Sequence, residues 1–122
     1  TAVTGRPHIG YFVWVLKLAD FIKAGFKVKL LLADLHGALD NTPWEILEKR
    51  YQYYSTVIPL MFEAVGADVS KLDIVKGSNF QTKANYNMDL LKLSSKTSIH
   101  DAKRAGSEVV KFGDNPKLSG LI

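Results

Sequence analysis

The stretch "GFKVKLLLA", residues 25–33, constrains the chain more than any other. It begins by alternating, with Phe26, Val28 and Leu30 against Lys27 and Lys29, and then runs apolar through Ala33. That is the pattern of a strand in a covered parallel sheet. Gly25 stands where a helix C-cap belongs. The segment before it, from Tyr11 to Ala24, carries Lys17, Asp20 and Lys23 as one narrow polar stripe. Such a helix is expected to bury most of its circumference. Ahead of the helix, "TGRPHIG" (4–10) reads as a tight turn. Turn, helix and strand make half of a βαβ unit whose leading strand lies mostly before Thr1.

The remaining chain extends this pattern. "DLHGALDNTP" (34–43) reads as a polar, turn-prone loop, and a long helix follows from about Pro43. Leu47, Tyr51, Tyr54, Ile58 and Met61 line its apolar side, while Glu45, Glu48, Lys49, Gln52 and Ser55 line the other. Pro59 falls inside it, where proline costs about 3 kcal/mol. A kink is expected there, or a break followed by a second short helix to Gly66. "KLDIVKG" (71–77) is the next strand, and helical segments follow at about 85–97 and 99–112. In "NPKLSGLI", Asn115 and Pro116 read as an N-cap and first helical residue. A helix that has barely begun suggests a piece of a longer chain. The order βαβαβα is that of an open α/β sheet.

Composition narrows the function classes. Cysteine is absent, which rules out disulfides and thiolate metal sites. No apolar run approaches the roughly 18 residues of a membrane span, and no secretory leader pattern opens the sequence, so a cytoplasmic location is the default. Lysine and arginine number 16 against 12 acidic residues, a mild excess that permits a nucleotide or nucleic-acid partner without requiring one. The three histidines have no metal-ligand spacing, so no structural metal is expected.

Four stretches are candidates for chemistry. The 4–10 turn opens a helix, where backbone N–H groups and the helix dipole favour an anion. There His8 could bind a phosphate and stabilise charge during its displacement, with Gly5 and Gly10 letting the ligand approach. Equally, His8 could cap the helix or meet solvent. Asp34 and His36 leave the C-terminal end of a strand, where open α/β sheets bind ligands. Asp34 reads better as a cap for backbone N–H groups of its loop, while His36 is open between holding the loop and binding a ligand. Gln81 leaves the next strand and can offer both a donor and an acceptor, or lie exposed on its loop. Lys103 and Arg104 sit together on a helix, as a solvated face or as contacts to phosphate or a guanine edge.

Together, "TGRPHIGYF", "KLADFIKAG", "LLADLHGALDN", "VKGSNFQ", "AKRAGSEVVK" and "NPKLSGLI" resemble the tyrosyl-tRNA synthetases of the eukaryotic and archaeal type. The resemblance covers essentially the whole chain. Its most specific part is "ADLH" followed by "LDN" after a buried strand, with "AKRAG" downstream. It implies a class I synthetase and a Rossmann-type parallel sheet, incomplete at both ends, with a helical insertion. Residues 1–84 would be the first half of the catalytic domain. Residues 85–122 would be the connective insertion, with the homodimer interface and acceptor-stem contact, and the start of the next helix.

In the implied reaction the tyrosine carboxylate attacks the α-phosphate of ATP, with accompanying Mg2+, pyrophosphate is released, and tyrosine passes from the adenylate to tRNA(Tyr). "PHIGY" matches the HIGH signature, which implies ATP contacts at Thr4, Gly5, Pro7, His8, Gly10 and Tyr11, with His8 catalytic. Tyr11 takes the place of the signature's second histidine. Leu31, Ala33, His36 and Gln81 match tyrosine-pocket positions. Arg104, with Lys103 beside it, matches an arginine that reads the first acceptor-stem base pair. Trp14 stands where the family often has proline, and the family's later ligand helix, KMSKS loop and anticodon-binding domain are not in this sequence. The alternative is a noncatalytic module, derived from a synthetase, that dimerises or binds a tRNA acceptor end.

Overall fold

The computed structural model describes residues 1–39 and 42–106. Its elements are α1 (Tyr11–Lys23), β1 (Val28–Leu32), α2 (Asp34–Leu39), α3 (Trp44–Ala64), a 3-10 turn (Val69–Lys71), β2 (Leu72–Lys76), α4 (Ser78–Gln81), α5 (Ala84–Ser94) and α6 (Ile99–Gly106). The chain divides into two compact units, one ending at Asn79 and the other starting at Phe80. None of the described helices is long and apolar enough to cross a membrane.

In the first unit, β1 and β2 pair in parallel, from Val28 opposite Leu72 to Leu32 opposite Lys76. On the other edge of β1, Ala2 bridges Ala33 in parallel, and the Ala33 amide donates to the Thr1 carbonyl at 2.9 Å. The expected α/β fold with a parallel sheet is therefore present.

Helix α1 ends as the sequence predicts. The Gly25 amide bonds to the Ile22 carbonyl and the Phe26 amide to that of Phe21, with Gly25 at φ 98°. This Schellman closure needs a left-handed residue, which glycine supplies without a Cβ penalty. Helix α3 closes the same way at Gly66, φ 71°, with the Ala67 amide on the Phe62 carbonyl.

Helices α1 and α3 pack on one face of the strands. Val15, Ala19 and Ile22 of α1 meet Val28, Leu30 and Leu32 of β1 and Tyr54, Ile58, Met61 and Phe62 of α3 in a single cluster, with Val3 beneath the turn. The predicted stripe of α3 is thus correct at Leu47, Tyr54, Ile58 and Met61, with Tyr51 packed partly buried at its edge.

Four expectations need correction. Helix α1 does not bury most of its circumference, since Val13 is 77% exposed and Leu16 51%. Among the described residues strand β1 is covered on one face; its burial alternates, and Leu31 is 39% exposed. Both have one cause: α1 and α3 share a single face, and apolar composition cannot say how many neighbours an element has. The loop after β1 is in part a helix, α2, because Asp34 favours a first turn and Ala38 and Leu39 are strong helix formers. Finally, of the kink or break expected at Pro59, the break with a second short helix is absent, since α3 runs as one helix through it. Proline forfeits one backbone bond, but buried Tyr54, Ile58, Met61 and Phe62 hold both sides of it to the same core.

The second unit carries α5 and α6. Ser98 caps the start of α6: its Oγ accepts from the Asp101 amide at 3.1 Å and donates to the Asp101 carboxylate at 2.7 Å. Leu90, Leu91, Leu93, Ile99 and Ala102 line an open apolar groove of about 480 Å³. The predicted helices here are present as far as Gly106; their expected extension to 112 and the Asn115–Pro116 helix start lie outside the described residues.

Candidate functional site

The turn from Thr4 to Gly10 rises from Val3, at the edge of β1, and feeds α1. Its backbone is more self-contained than the sequence suggested. The amides of Tyr11, Phe12 and Val13 donate to the carbonyls of His8, Ile9 and Gly10 at 2.8, 3.0 and 3.2 Å. The first amides of α1 are therefore not open to a ligand, because the helix starts in tight three-residue closures that use them. What the turn offers outward is a side chain.

His8 is exposed, and its Nδ1 accepts from the Gly10 amide at 3.1 Å. In the neutral ring this places the proton on Nε2, which makes that atom a donor. Gly10 is small for a reason: a Cβ there would meet His8 Cε1 at 2.8 Å and force the ring to move. The Tyr11 ring stands edge-on to His8, with centroids 5.4 Å apart. His8 does not cap the helix in the usual sense, since its bond goes to the N-cap residue's own amide.

Helix α3 holds the turn from below. Tyr54 is 1% exposed, yet its hydroxyl is used twice: it accepts from the Gly5 amide at 3.4 Å and lies 3.1 Å from the Tyr11 hydroxyl. Arg50 donates through Nη1 to the Thr4 carbonyl and, at 3.0 Å, to Thr42 Oγ1. Sequence reasoning missed both roles. It read Tyr54 as part of an apolar stripe, although a tyrosine at a buried position signals that its hydroxyl needs a partner. Arg50 gave no such signal.

Burial, reinforced by the bond to Tyr11, pushes the Tyr54 hydroxyl up from 10.0 to about 12. The folded state thus holds this proton where the unfolded chain has lost it. The stabilising effect is fully present below pH 10 and drains away as pH rises towards 12. Alkaline unfolding should accordingly steepen between those values, and Tyr54→Phe should remove that component. Stability curves of both proteins against pH, by urea titration, are the check.

At the C-terminal end of β1, Leu31 lies on the open face of the sheet and Ala33 carries the bridge to Ala2. Asp34, buried at 5%, accepts from the Ser78 amide at 2.9 Å. It has the expected backbone role, but it serves the exit of β2 rather than its own loop. His36 is exposed on α2. Gly37 is buried, and a Cβ there would lie 3.3 Å from Leu47, so α2 packs close against α3. Beside Asp34, Lys76 donates to Glu48 and lies 4.5 Å from the centre of the Tyr51 ring. The bond to Glu48 holds the Lys76 ammonium above its ordinary range despite some desolvation.

In the second unit, the Gln81 carbonyl accepts from Asn87 Nδ2 at 3.2 Å. Its Oε1 is the buried side-chain atom among the described residues that has no hydrogen-bond partner. Lys103 and Arg104 are exposed on α6, and Arg104 donates to Asp101 one turn earlier at 3.1 Å. The structure thus gathers Thr4, Gly5, Pro7, His8, Gly10 and Tyr11 in one turn, and Leu31 and Ala33 at one strand end.

Comparison with known proteins gives this arrangement a lineage. The family profile described as tRNA synthetases class I (W and Y) matches residues 1–121. The chain is 52% identical to the cytoplasmic tyrosine–tRNA ligase of Danio rerio, over all of this chain and 23% of that protein. It is 51% identical to the cytoplasmic tyrosine–tRNA ligase of Saccharomyces cerevisiae, over all of this chain and 32% of the relative. The chain therefore spans about a quarter to a third of the length of these curated relatives. The solved tyrosyl-tRNA synthetase of Archaeoglobus fulgidus, complexed with L-tyrosine, superposes with a TM-score of 0.84 at 32% identity, covering 99% of this chain and 37% of the other. With a Rossmann-type parallel sheet, a histidine-bearing turn ahead of its first helix and a family match along nearly its whole length, the chain belongs to the class I tRNA synthetases of the tryptophan and tyrosine group.

Proposed function

We propose that this chain is the portion of a tyrosine–tRNA ligase that binds ATP and tyrosine at the start of the catalytic domain. The observation that carries the reading is the His8 turn. There an exposed imidazole, fixed through Nδ1 to Gly10, leaves Nε2 as a donor. A donor held in place is what a phosphate needs as charge builds on it during displacement. On this reading the tyrosine carboxylate attacks the α-phosphate of ATP, pyrophosphate leaves with Mg2+, and tyrosine passes from the adenylate to the 3′ end of tRNA(Tyr). No covalent enzyme intermediate is required, and catalysis is positioning plus stabilisation of phosphate charge.

Thr4, Gly5, Pro7, Gly10 and Tyr11 shape the ATP site around His8. Leu31, Ala33, His36 and Gln81 contribute to recognition of tyrosine; the unpartnered Oε1 of Gln81 supports its share, since a buried acceptor is costly unless a ligand satisfies it. Residues 85–122 act as the connective insertion, with a homodimer interface and an acceptor-stem contact through Arg104 and Lys103. The protein works in the cytoplasm, as its named relatives do.

The test is ATP–pyrophosphate exchange with each of the twenty amino acids, on this chain and on one extended to the length of its relatives. Exchange with tyrosine alone in the extended chain supports the reading. No exchange in either, with binding of an acceptor-stem RNA kept, would replace it with a noncatalytic module. A separate expectation concerns Arg104. Arg104→Ala should weaken transfer to tRNA about tenfold and leave the exchange reaction unchanged, because Arg104 is exposed on α6 and none of the residues assigned to ATP or tyrosine lies on that helix. Parallel assays of exchange and tRNA charging separate the two.

A further inference from the structure

We propose that Tyr54, acting through Tyr11 and assisted by Arg50, is a positioning residue that sets the place of His8. The inference rests on the ATP-binding role of the turn.

Among the described residues the His8 ring makes one hydrogen bond, accepting at Nδ1 from the amide of Gly10. Its position is therefore inherited from the backbone of the turn, which has little core contact of its own: Gly5, Arg6, Ile9 and Gly10 are all exposed. The turn is fixed at three points on either side of His8, and every one leads to α3. Arg50 takes the Thr4 carbonyl, the Tyr54 hydroxyl takes the Gly5 amide, and the same hydroxyl meets that of Tyr11. Thr42, buried at 6%, gives Arg50 its second anchor. From Tyr11 the link continues to the histidine by ring contact, edge to face at 5.4 Å.

The anchoring side is rigid. Tyr54 lies in the core cluster beside Ile58 and Phe62, so its hydroxyl is held by packing on a long helix rather than by another loop. Side chains that place a reacting group gain from this arrangement, since a displacement of about 1 Å can cost a hundredfold in rate. The geometry also gives the motif's fourth position a different task. The Tyr11 hydroxyl is engaged with Tyr54 beneath the turn, so Tyr11 supports the histidine instead of reaching for the ligand.

The experiment uses the extended chain and two variants that remove the same bond from opposite ends, Tyr54→Phe and Tyr11→Phe. Each should lower kcat for tyrosine-dependent exchange about tenfold with KM for tyrosine unchanged, and the double variant should be no worse than Tyr54→Phe, which also gives up the Gly5 amide. In a His8→Ala background the further loss should fall below about twofold, because the residue acted upon is gone. The ring 15N shifts of His8 should move from a fixed Nε2–H tautomer towards a mixture in both variants. If exchange proceeds and neither kcat nor the ring shifts respond, the inference is overturned; it is equally overturned if the loss is undiminished without His8. If the unmodified chain shows no exchange while the ring shifts still respond, the ATP-binding reading fails and the positioning role stands. Should Tyr54→Phe fail to fold, Tyr11→Phe decides alone, since Tyr11 is only half-buried.

Discussion

His8→Ala should lower tyrosine-dependent ATP–pyrophosphate exchange about a hundredfold in the extended chain while leaving the thermal midpoint within a degree or two. The two halves of this expectation have separate causes. Loss of a fixed donor aimed at developing oxyanion charge typically costs ~10²- to 10³-fold in rate. Stability is spared because the imidazole is exposed and its single backbone bond joins neighbours within one turn. Removing it lets water reach the Gly10 amide, so no buried group is orphaned. The loss should appear in kcat more than in KM for ATP, as an interaction made mainly in the transition state requires. A fall in thermal stability of many degrees, with activity per folded molecule retained, would make His8 a structural residue instead.

Phe62→Ala should have the opposite profile. Phe62 is fully buried where α3 meets α1, with the Trp14 ring 6.3 Å away. Truncating a buried phenylalanine removes its transfer free energy and leaves a cavity, a loss of about 3–5 kcal/mol. That is a large share of the roughly 5–15 kcal/mol that holds a domain together. Urea titration of the extended chain should show the midpoint falling with little change in slope. Phe62→Leu should recover most of the loss, because it refills most of the volume. An alanine variant within 1 kcal/mol of the parent would mean that the cluster of α1, β1 and α3 is not the centre of this unit.

These residues also mark how far the sequence could be read. The stripe Leu47, Tyr54, Ile58 and Met61 was legible because period is a local property and one helix displays it entirely. The strands were legible for the same reason, and glycine at 25 gave its turn away because little else tolerates φ 98°. Helix α2 was misread because His36 and Gly37 are residues of loops on average and outweighed the helix-forming signal of Asp34, Ala38 and Leu39. The close approach of Gly37 to Leu47 and Val3, which lets the helix pack there, is a distant contact that no local reading shows. The exposed Val13 and Leu16 were misjudged because hydrophobicity reports a preference for burial, not the presence of a neighbour. At the candidate site, the turn and its histidine were visible as a motif. Arg50 and Tyr54 were not visible as its supports, since their bonds to Thr4 and Gly5 span more than forty positions.

The parallel pairing of β1 with β2 carries a consequence in time. Its register partners, Val28 with Leu72 and Leu32 with Lys76, are separated by the whole of α2 and α3. On a ribosome, β1 emerges long before the strand it must join, and loop closure has to be met before any ladder bond forms. Helix α3 can form first, because its bonds are local, and it then shortens the span the chain must search. The expected order of events is therefore helix, docking of α1 and β1 onto it, and last the ladder. Amide exchange during refolding should record it, with protection at Ile58 and Phe62 preceding protection at Leu30 and Ile74.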